Sequence, residues 1–382
     1  MSQIYLSGVE TQLERISKLG DPLERINSVI DWELFRPELQ ERTRKEDYSK
    51  GGRPPLDAVF MFKIVMLQHW NNISNDSAEY LINDRLSFQR FLGMEVGEKA
   101  PDANTIWLFK EKLGEDGMRA MFDTFGNLLE ESGIVTHKGS IVDASFVDVP
   151  RQRNSREENK TIKEGGVPEE WLAPDPAGRH KLAQKDTDAR RTKKGNETRF
   201  GYKDHVKAGK ESKIITDFSA TPANTRDSYG CLNRKYAHGK PKSDGTWSLF
   251  GADRERSCLK QLQELVGLVD GKDEELFGDS AYVGEELHKE IKEKNPDIKL
   301  KIHEKAYRNK PLTDEQKENN HKKSRTRARV EHVFGYMARF MNGISIRTVG
   351  IKRAMREICG MNLAYNIRRA VFLASAKNAA VS

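Results

Sequence analysis

The chain has 382 residues, of which 32% are charged, and its formal net charge is +7. No apolar stretch approaches the roughly 18 residues that span a bilayer, and the N-terminus lacks the charged and apolar regions of a signal peptide. The three cysteines form no CxxC pair, which argues against a zinc knuckle or a disulfide framework. We therefore expect a protein of the cytoplasm with two or three domains.

The N-terminal region, residues 1–135, is predicted to be helical. Asp21 and Pro22 are typical of a helix start, with the aspartate as the cap and the proline at the first helical position. Residues 56–70 (LDAVFMFKIVMLQHW) are apolar nearly all round, which indicates a buried helix.

Two further helices are predicted downstream. Asn75 or Ser77 would cap the first, and the second (residues 101–114) starts at Pro-Asp and ends at a glycine. Short helices joined by tight turns, one carrying basic groups such as Lys110 beside an aromatic residue, resemble a helix-turn-helix. A plain helical bundle fits the same pattern equally well.

The middle of the chain changes to β-strand patterns. Residues 140–149 (SIVDASFVDV) are rich in β-branched residues between a glycine and a proline, which indicates a strand. Residues 151–198 are polar and nearly free of periodicity, so we interpret them as an insertion whose order stays open. Two strands, residues 200–208 and 213–220, are then expected to form a hairpin.

The remainder alternates helices and strands. The predicted order is a helical stretch around 258–268, a strand at 275–278, a helix at 284–294, a strand at 298–304, a helix at 325–340 and a last helix at 352–373. This alternation favours an α/β domain with a mixed sheet and flanking helices, spanning residues 136–376.

Positive charge is concentrated late in the chain. Between Lys305 and Arg356, basic residues outnumber acidic ones by roughly three to one. A basic patch of this kind is typical of a polyanion partner, although a solvated basic surface is an open alternative.

Three acidic residues stand apart from the other charges. Asp143 lies inside the first strand, on the face opposite Val142 and Phe146, where an acid is uncommon without a partner. Asp279 ends the strand LFG, and ligand sites form at such strand ends, although a helix cap is the alternative. For Glu331, a lone acid on a basic helix, the simplest explanation is a surface ion pair with the arginine one turn earlier.

Together, these acids predict a metal site. Carboxylate oxygens suit Mg²⁺ or Mn²⁺. Two such ions about 4 Å apart activate an attacking oxygen and stabilise a leaving oxygen in phosphodiester cleavage. Because a polyanion substrate would need the surrounding Lys and Arg side chains, the sequence favours a site that acts on nucleic acid.

Eight short motifs follow one another along nearly the whole chain. GRPPLDAVFMFKIVMLQHW, DRLSFQRFLGM and PDANTIWLFKEKL come first, GSIVDASFVDVP, TKKGNETRFGYKDHV and ATPANTRDS follow, and GDSAYVG and RARVEHVFGYM come last. In this order they resemble the DDE transposases of bacterial insertion sequences, specifically the insertion-sequence-five type. The resemblance implies an RNase H-like catalytic core preceded by an all-α DNA-binding domain.

The resemblance also implies which residues act. The family's three metal-binding catalytic acids correspond to Asp143, Asp279 and Glu331, and its arginine four residues before the third acid corresponds to Arg327. The chain departs from the pattern at Ala338, where a lysine is common, and at Ser324, where a tyrosine is usual. The side chains expected to contact DNA phosphates are Arg327, Arg339 (in place of that lysine), Lys193, Lys194, Lys203 and Lys110.

The expected function is therefore transposition. The protein would bind the terminal inverted repeats of its element, cleave DNA with Mg²⁺ or Mn²⁺, and join the freed 3′-OH to target DNA, as a homodimer on DNA in the bacterial cytoplasm and without a membrane partner. An RNase H-like nuclease that only hydrolyses, or an inactive DNA-binding derivative, are alternatives. A serine or tyrosine recombinase would need a nucleophile constellation that does not stand out.

Overall fold

A computed structural model describes residues 2–44, 54–95, 97–174, 180–225, 268–269, 271–282, 284–307 and 311–381. The chain divides into two compact units. The first comprises Met1–Ile134, Met337–Gly343 and Cys359–Ser382, and the second comprises Val135–Tyr336 and Ile344–Ile358. The sequence pattern assigns residues up to 376 to the α/β domain. In the structure, the residues from Cys359 onward belong to the first unit, together with the N-terminal helices.

The first unit is helical. Its N-terminal helices are α1 (Ser2–Lys18), α2 (Pro22–Val29), α3 (Arg36–Thr43), α4 (Ala58–Asn71), α5 (Asn75–Asp84), α6 (Leu86–Leu92) and α7 (Ala103–Glu131), with a 3-10 turn at Trp32–Phe35. Pro22 opens α2 and Asp21 caps it, as predicted.

One helix cap differs from the sequence prediction, and one predicted helix end agrees with the structure. Helix α5 is capped by Ser74, whose hydroxyl accepts from the backbone of Ser77, so the predicted caps Asn75 and Ser77 lie inside its first turn. Helix α7 starts behind its cap Asp102 as expected, and its first helical segment ends at Gly114, as predicted. The backbone of Gly114 departs from helical geometry, with a φ of 64°, and a second helical segment continues to Glu131.

The core of the first unit surrounds α4, which is buried on nearly all sides as its apolar sequence predicts. Five aromatic rings meet there with centroids 5.0–6.4 Å apart: Trp32, Phe35, Phe62, Trp70 and Phe91. The indole N–H of Trp70 donates to the carbonyl of Ala364 at 2.8 Å, in the C-terminal helix. That helix completes this core, which explains why its residues group with the first unit.

The second unit is built on a mixed sheet. Its strands are β1 (Ser140–Asp148), β2 (Arg190–Lys194), β3 (Glu197–Gly209), β4 (Ile215–Pro222), β5 (Glu275–Gly278) and β6 (Lys299–Ile302). Strand β3 runs antiparallel to β1, β2 and β4, and β5 runs parallel to β1 and to β6. The order β4–β3–β1–β5–β6 is that of an RNase H-like core, so the expected fold class is confirmed.

Helices accompany this sheet. They are α8 (Arg156–Lys163), α9 (Glu169–Leu172), α10 (Glu285–Lys294), α11 (Asp314–Phe340) and α12 (Ile351–Val381), with 3-10 turns at Lys181–Gln184 and Ser280–Tyr282. Val142 of β1 and Leu276 of β5 form one buried cluster with Leu287 and Ile291 of α10. Helix α10 therefore covers the face of the sheet to which Val142 points.

The polar segment 151–198 contains regular structure where it is described, including α8, α9, β2 and the start of β3. Asp186 anchors part of it, because its carboxylate accepts from the Tyr202 hydroxyl at 2.7 Å and from the backbone N–H of Gly350 at 3.1 Å. Asp188 accepts from the N–H of Ile351 at 2.9 Å. The segment thus caps α12, a contact that a sequence without periodicity did not reveal.

Helix α11 begins earlier than predicted, at Asp314 instead of Arg325. A capping box marks this helix start. The Thr313 hydroxyl accepts from the backbone N–H of Gln316, and the Gln316 side-chain carbonyl accepts from the backbone N–H of Thr313. The helix predicted around 258–268 lies, apart from its last residue, outside the described residues. No helix in the described part of the chain is both long and apolar enough to cross a membrane.

Candidate active site

Asp143 occupies the middle of β1. Its side chain is half-buried, and its Oδ1 accepts from the backbone N–H of Ala144 at 2.9 Å. Its neighbours Ile141 and Val142 are buried, so the strand that carries the acid is fixed by the core.

Asp279 directly follows β5. Its Oδ1 accepts from the N–H of Ala281 at 2.8 Å, which closes the turn into the 3-10 segment Ser280–Tyr282. The alternative of a cap for the next regular helix is wrong, because α10 begins six residues later, after Gly284.

Strands β1 and β5 pair in parallel just before the positions of Asp143 and Asp279. Ser140 pairs with Leu276 and Ile141 with Phe277, an offset of 136 in both pairs, and the same offset joins position 143 to position 279. Residues opposite each other in adjacent strands point to the same face, and the strands lie about 4.8 Å apart. The register therefore directs both carboxylates to one face of the sheet.

The N-terminal half of α11 is fastened to the carboxyl ends of β5 and β6. The side chain of Asn320 exchanges two hydrogen bonds with the backbone of Glu304, at 2.9 and 3.0 Å. The ammonium of Lys323 donates to the carbonyl of Ile302 at 2.8 Å. These contacts bring the basic helix to the edge of the sheet at which Asp279 lies.

Arg327 makes the link between this helix and the acids. Its Nη1 lies 3.6 Å from Oδ2 of Asp279, and both side chains are partly exposed, 25% and 29%. The surface pair between Arg327 and Glu331 that the sequence suggested is not among the contacts of the described residues. The interpretation of Glu331 as half of that pair is therefore wrong, because the arginine faces the sheet.

Glu331 lies one turn beyond Arg327 and is exposed. Positions 320, 324, 327 and 331 share one side of a helix, so Glu331 belongs to the side that carries the contacts to the sheet. Within the described residues, however, no group of three or more His, Cys, Asp or Glu side chains lies close enough to hold a metal ion. The three predicted acids therefore do not form a preassembled metal-binding group within the described residues.

His303 is a neighbour of this site that sequence reasoning missed. It follows β6, and its Nε2 lies 3.3 Å from the hydroxyl of Ser324, the position where the family pattern has a tyrosine. Burial lowers the pKa of His303, and the charges of Arg327 and Lys323 lower it further, while Asp279 opposes them. The sequence signal for this residue was its position: His303 directly follows β6, the strand that pairs with β5, and Asp279 directly follows β5.

The residues expected to contact DNA phosphates differ in accessibility. Lys193 is exposed on β2, Arg339 is exposed and stacks on the ring of Phe340, and Lys110 is half-buried. Lys203 is only 8% exposed, and its ammonium donates to the carbonyl of Thr225 at 2.5 Å. The burial of Lys203 corrects the expectation that it contacts DNA, because β3 is an interior strand. The side chain of Lys194 lies outside the described part.

The donor chemistry of the site suits a divalent cation. The two carboxylates of Asp143 and Asp279 offer hard oxygen ligands on one face, and a cationic guanidinium already lies against one of them. An RNase H-like sheet with acids at this place defines an enzyme that cleaves phosphodiesters.

Comparison with known families specifies the class further. A model described as Transposase domain (DUF772) matches residues 11–112, and a model described as Transposase DDE domain matches residues 252–367, a range that includes Asp279 and Glu331. No solved structure matches the chain. The chain belongs to the DDE transposases of insertion sequences, enzymes that cleave DNA and transfer its strands and that generally use divalent metal ions.

Proposed function

We propose that this transposase, of the insertion-sequence-five type, binds the terminal inverted repeats of its own element and joins the cleaved ends to target DNA. Two observations support the proposal: β1 and β5 pair in parallel two residues before Asp143 and Asp279, and Arg327 of α11 lies 3.6 Å from the carboxylate of Asp279. The first helical unit would read the repeats. Joining two ends in one event requires at least two protomers on DNA, in the cytoplasm of the host bacterium.

Asp143 and Asp279 would hold Mg²⁺ or Mn²⁺, and Glu331 would complete the set. When bound, a pair of such ions activates the attacking oxygen and stabilises the leaving oxygen. Glu331 lies four residues beyond Arg327, about 6 Å along the helix axis. Because both residues share one helix side, rotation of the Glu331 side chain and a small shift of α11 would direct its carboxylate toward the two aspartates.

The basic side chains would position the DNA rather than specify its sequence. Contacts to backbone phosphates supply affinity and orientation. Lys193 on β2 and Arg339 near the end of α11 are exposed and available for this role. Lys110 lies on α7 in the helical unit, where it would contribute to binding of the repeats.

The catalytic assignment is tested by Asp143→Asn in the full-length protein. We expect cleavage of a supercoiled plasmid that carries the element's ends to be abolished, with DNA affinity within about threefold of wild type, because phosphate contacts from Lys and Arg supply that affinity. The matched control is Asp148→Asn, five residues along the same strand. It lies about 17 Å away and pairs with Arg199 at 2.7 Å.

The strand-transfer step is tested with a labelled, precut end. Wild-type protein with Mg²⁺ is expected to give products in which the label is joined to target DNA, and Glu331→Gln is expected to give none. Hydrolysis without joined products would favour a nuclease. Cleavage by Asp143→Asn, or cleavage by wild type in EDTA, would overturn the metal-site assignment.

A further inference from the structure

Arg327 occupies the place of a counter-ion to Asp279. One oxygen of this carboxylate, Oδ1, is engaged by the backbone N–H of Ala281. The other, Oδ2, is the oxygen that faces the guanidinium at 3.6 Å. The carboxylate oxygen of Asp279 without a backbone hydrogen bond is therefore the one that Arg327 faces.

The position of Arg327 is imposed by its helix. Asn320, Lys323 and Ser324 lie on the same side of α11 within the two turns before it, and each contacts residues at the end of β6. These contacts hold the arginine against Asp279 without help from the solvent-exposed half of the helix. The pair is therefore a built feature of the sheet edge and differs from the exposed pairs of this chain, such as Lys317 with Asp314.

A guanidinium and a divalent cation cannot both approach this oxygen closely. Their charges repel, and the repulsion increases as the distance between them decreases. A DNA phosphate, in contrast, is a preferred partner of arginine, because it matches the fork of N–H donors. Arg327 thus has two alternative anionic partners, Asp279 in the protein and a phosphate in the substrate.

We propose that Arg327 competes with the divalent cation for Asp279, so that metal binding is coupled to transfer of Arg327 onto a DNA phosphate. This inference rests on the proposed function of Asp143 and Asp279. Coupling between two binding events is reciprocal. A phosphate that draws Arg327 away strengthens metal binding, and metal at Asp279 strengthens the contact of Arg327 with DNA. The protein would then be loaded with metal mainly when it is on DNA.

The first test measures Mn²⁺ affinity by isothermal titration calorimetry on the full-length protein without DNA. We expect Arg327→Ala and Arg327→Gln to bind Mn²⁺ about threefold to tenfold more tightly than wild type, the range for loss of a partly exposed ion pair. Arg325→Ala removes the same charge from an exposed position two residues away, and we expect a change below about twofold, because exposed charges are screened. Far-ultraviolet circular dichroism confirms that each variant is folded.

Two results would overturn the proposal. Unchanged or weaker Mn²⁺ binding by both Arg327 variants would show that there is no competition. An equal gain in Arg325→Ala would show only a general effect of charge. Failure of the proposed function has a separate signature: Asp279→Asn would then bind Mn²⁺ as tightly as wild type, whatever the Arg327 variants do.

The second test addresses coupling to DNA. Fe²⁺ with ascorbate and peroxide cleaves a polypeptide next to a bound ion, so cleavage near Asp279 reports occupancy of this site rather than activity. A short duplex of mixed sequence is expected to lower the Fe²⁺ concentration required for polypeptide cleavage. This decrease should be at least about threefold larger for wild type than for Arg327→Ala, which is the lower end of the range given for Mn²⁺ affinity. An identical effect of the duplex on the two proteins would refute the coupling.

Discussion

Removal of Asp273 is expected to be one of the most damaging single changes in the second unit. Its carboxylate accepts from the hydroxyl of Ser140 at 2.6 Å and from the ammonium of Lys207 at 3.1 Å. The side chains of Asp273 and Lys207 are 0% and 2% exposed. The backbone carbonyl of Asp273 also accepts from Asn295 at 2.8 Å. The cluster therefore joins β1, β3 and the segments next to β5 and α10.

The loss of stability depends on which residue of the Asp273–Lys207 pair remains in the variant. In Asp273→Ala, Lys207 remains buried with its main counter-charge gone, and loss of one partner of a buried pair costs about 3–5 kcal/mol. Replacing both residues, as Asp273→Leu with Lys207→Met, also removes the desolvation cost. We therefore expect the double variant to recover at least about half of that loss. The exposed pair supplies the control: Asp314→Ala should cost less than about 1 kcal/mol.

The assay is urea unfolding followed by circular dichroism, with cleavage activity measured in parallel. Ser140, which donates to Asp273, also pairs with Leu276 in the register of β1 against β5. Because Asp143 and Asp279 follow this pairing, Asp273→Ala should also lower cleavage at temperatures where the protein is still folded. The reasoning fails if Asp273→Ala costs no more than Asp314→Ala, or if the double variant is as unstable as the single one.

Three further outcomes are expected. Gly360→Ala should destabilise the first unit by about 1–3 kcal/mol, because a Cβ there would lie 2.1 Å from Nε2 of His69. A thermal melt checks this, and His69→Ala in the same chain should relieve the clash. Asp186→Ala should cost about 2 kcal/mol or more, since it removes a cap of α12 and the partner of a buried tyrosine, and faster amide exchange at Gly350 would show it. Burial lowers the pKa of Lys63 to about 8 from 10.5. The unfolded state then binds more protons between these values, so the free energy of unfolding should rise as pH increases from about 8 to 10.5. Lys63→Met should flatten that rise in urea titrations at several pH values, and an unchanged slope would refute the cause.

Much of the fold was predictable because its signals are local. The apolar run of α4, the caps Asp21 and Asp102, and the β-branched strand β1 each fix an element from residues a few positions apart. The alternation of helices and strands after residue 275 likewise predicted strands β5 and β6 and the α/β class of this domain. The elements that sequence reasoning missed have weak local signals. Strand β2 reads RRTKK, without the alternation of a half-buried strand.

For the candidate site, the sequence predicted which residues belong to it but not how they are arranged. Motif resemblance selected Asp143, Asp279 and Glu331 from a chain with 58 acidic residues. It did not show that Arg327 contacts Asp279 instead of its helical neighbour, that His303 and Ser324 meet beside them, or that Lys203 is buried. These facts depend on which face of each element turns inward, and a linear motif does not specify that.

The sequence by itself determined the family and most of the element order, and it predicted three acids as metal ligands, because motif identity, periodicity and capping are properties of neighbouring residues. Tertiary structure alone decided the strand register, which pairs Ile141 with Phe277 across 136 residues of chain, two residues before Asp143 and Asp279. It also decided the docking of α11, which gives Asp279 a cationic partner and leaves Glu331 exposed. The physical reason is that register and docking minimise the free energy of the whole core, to which residues far apart in sequence contribute together.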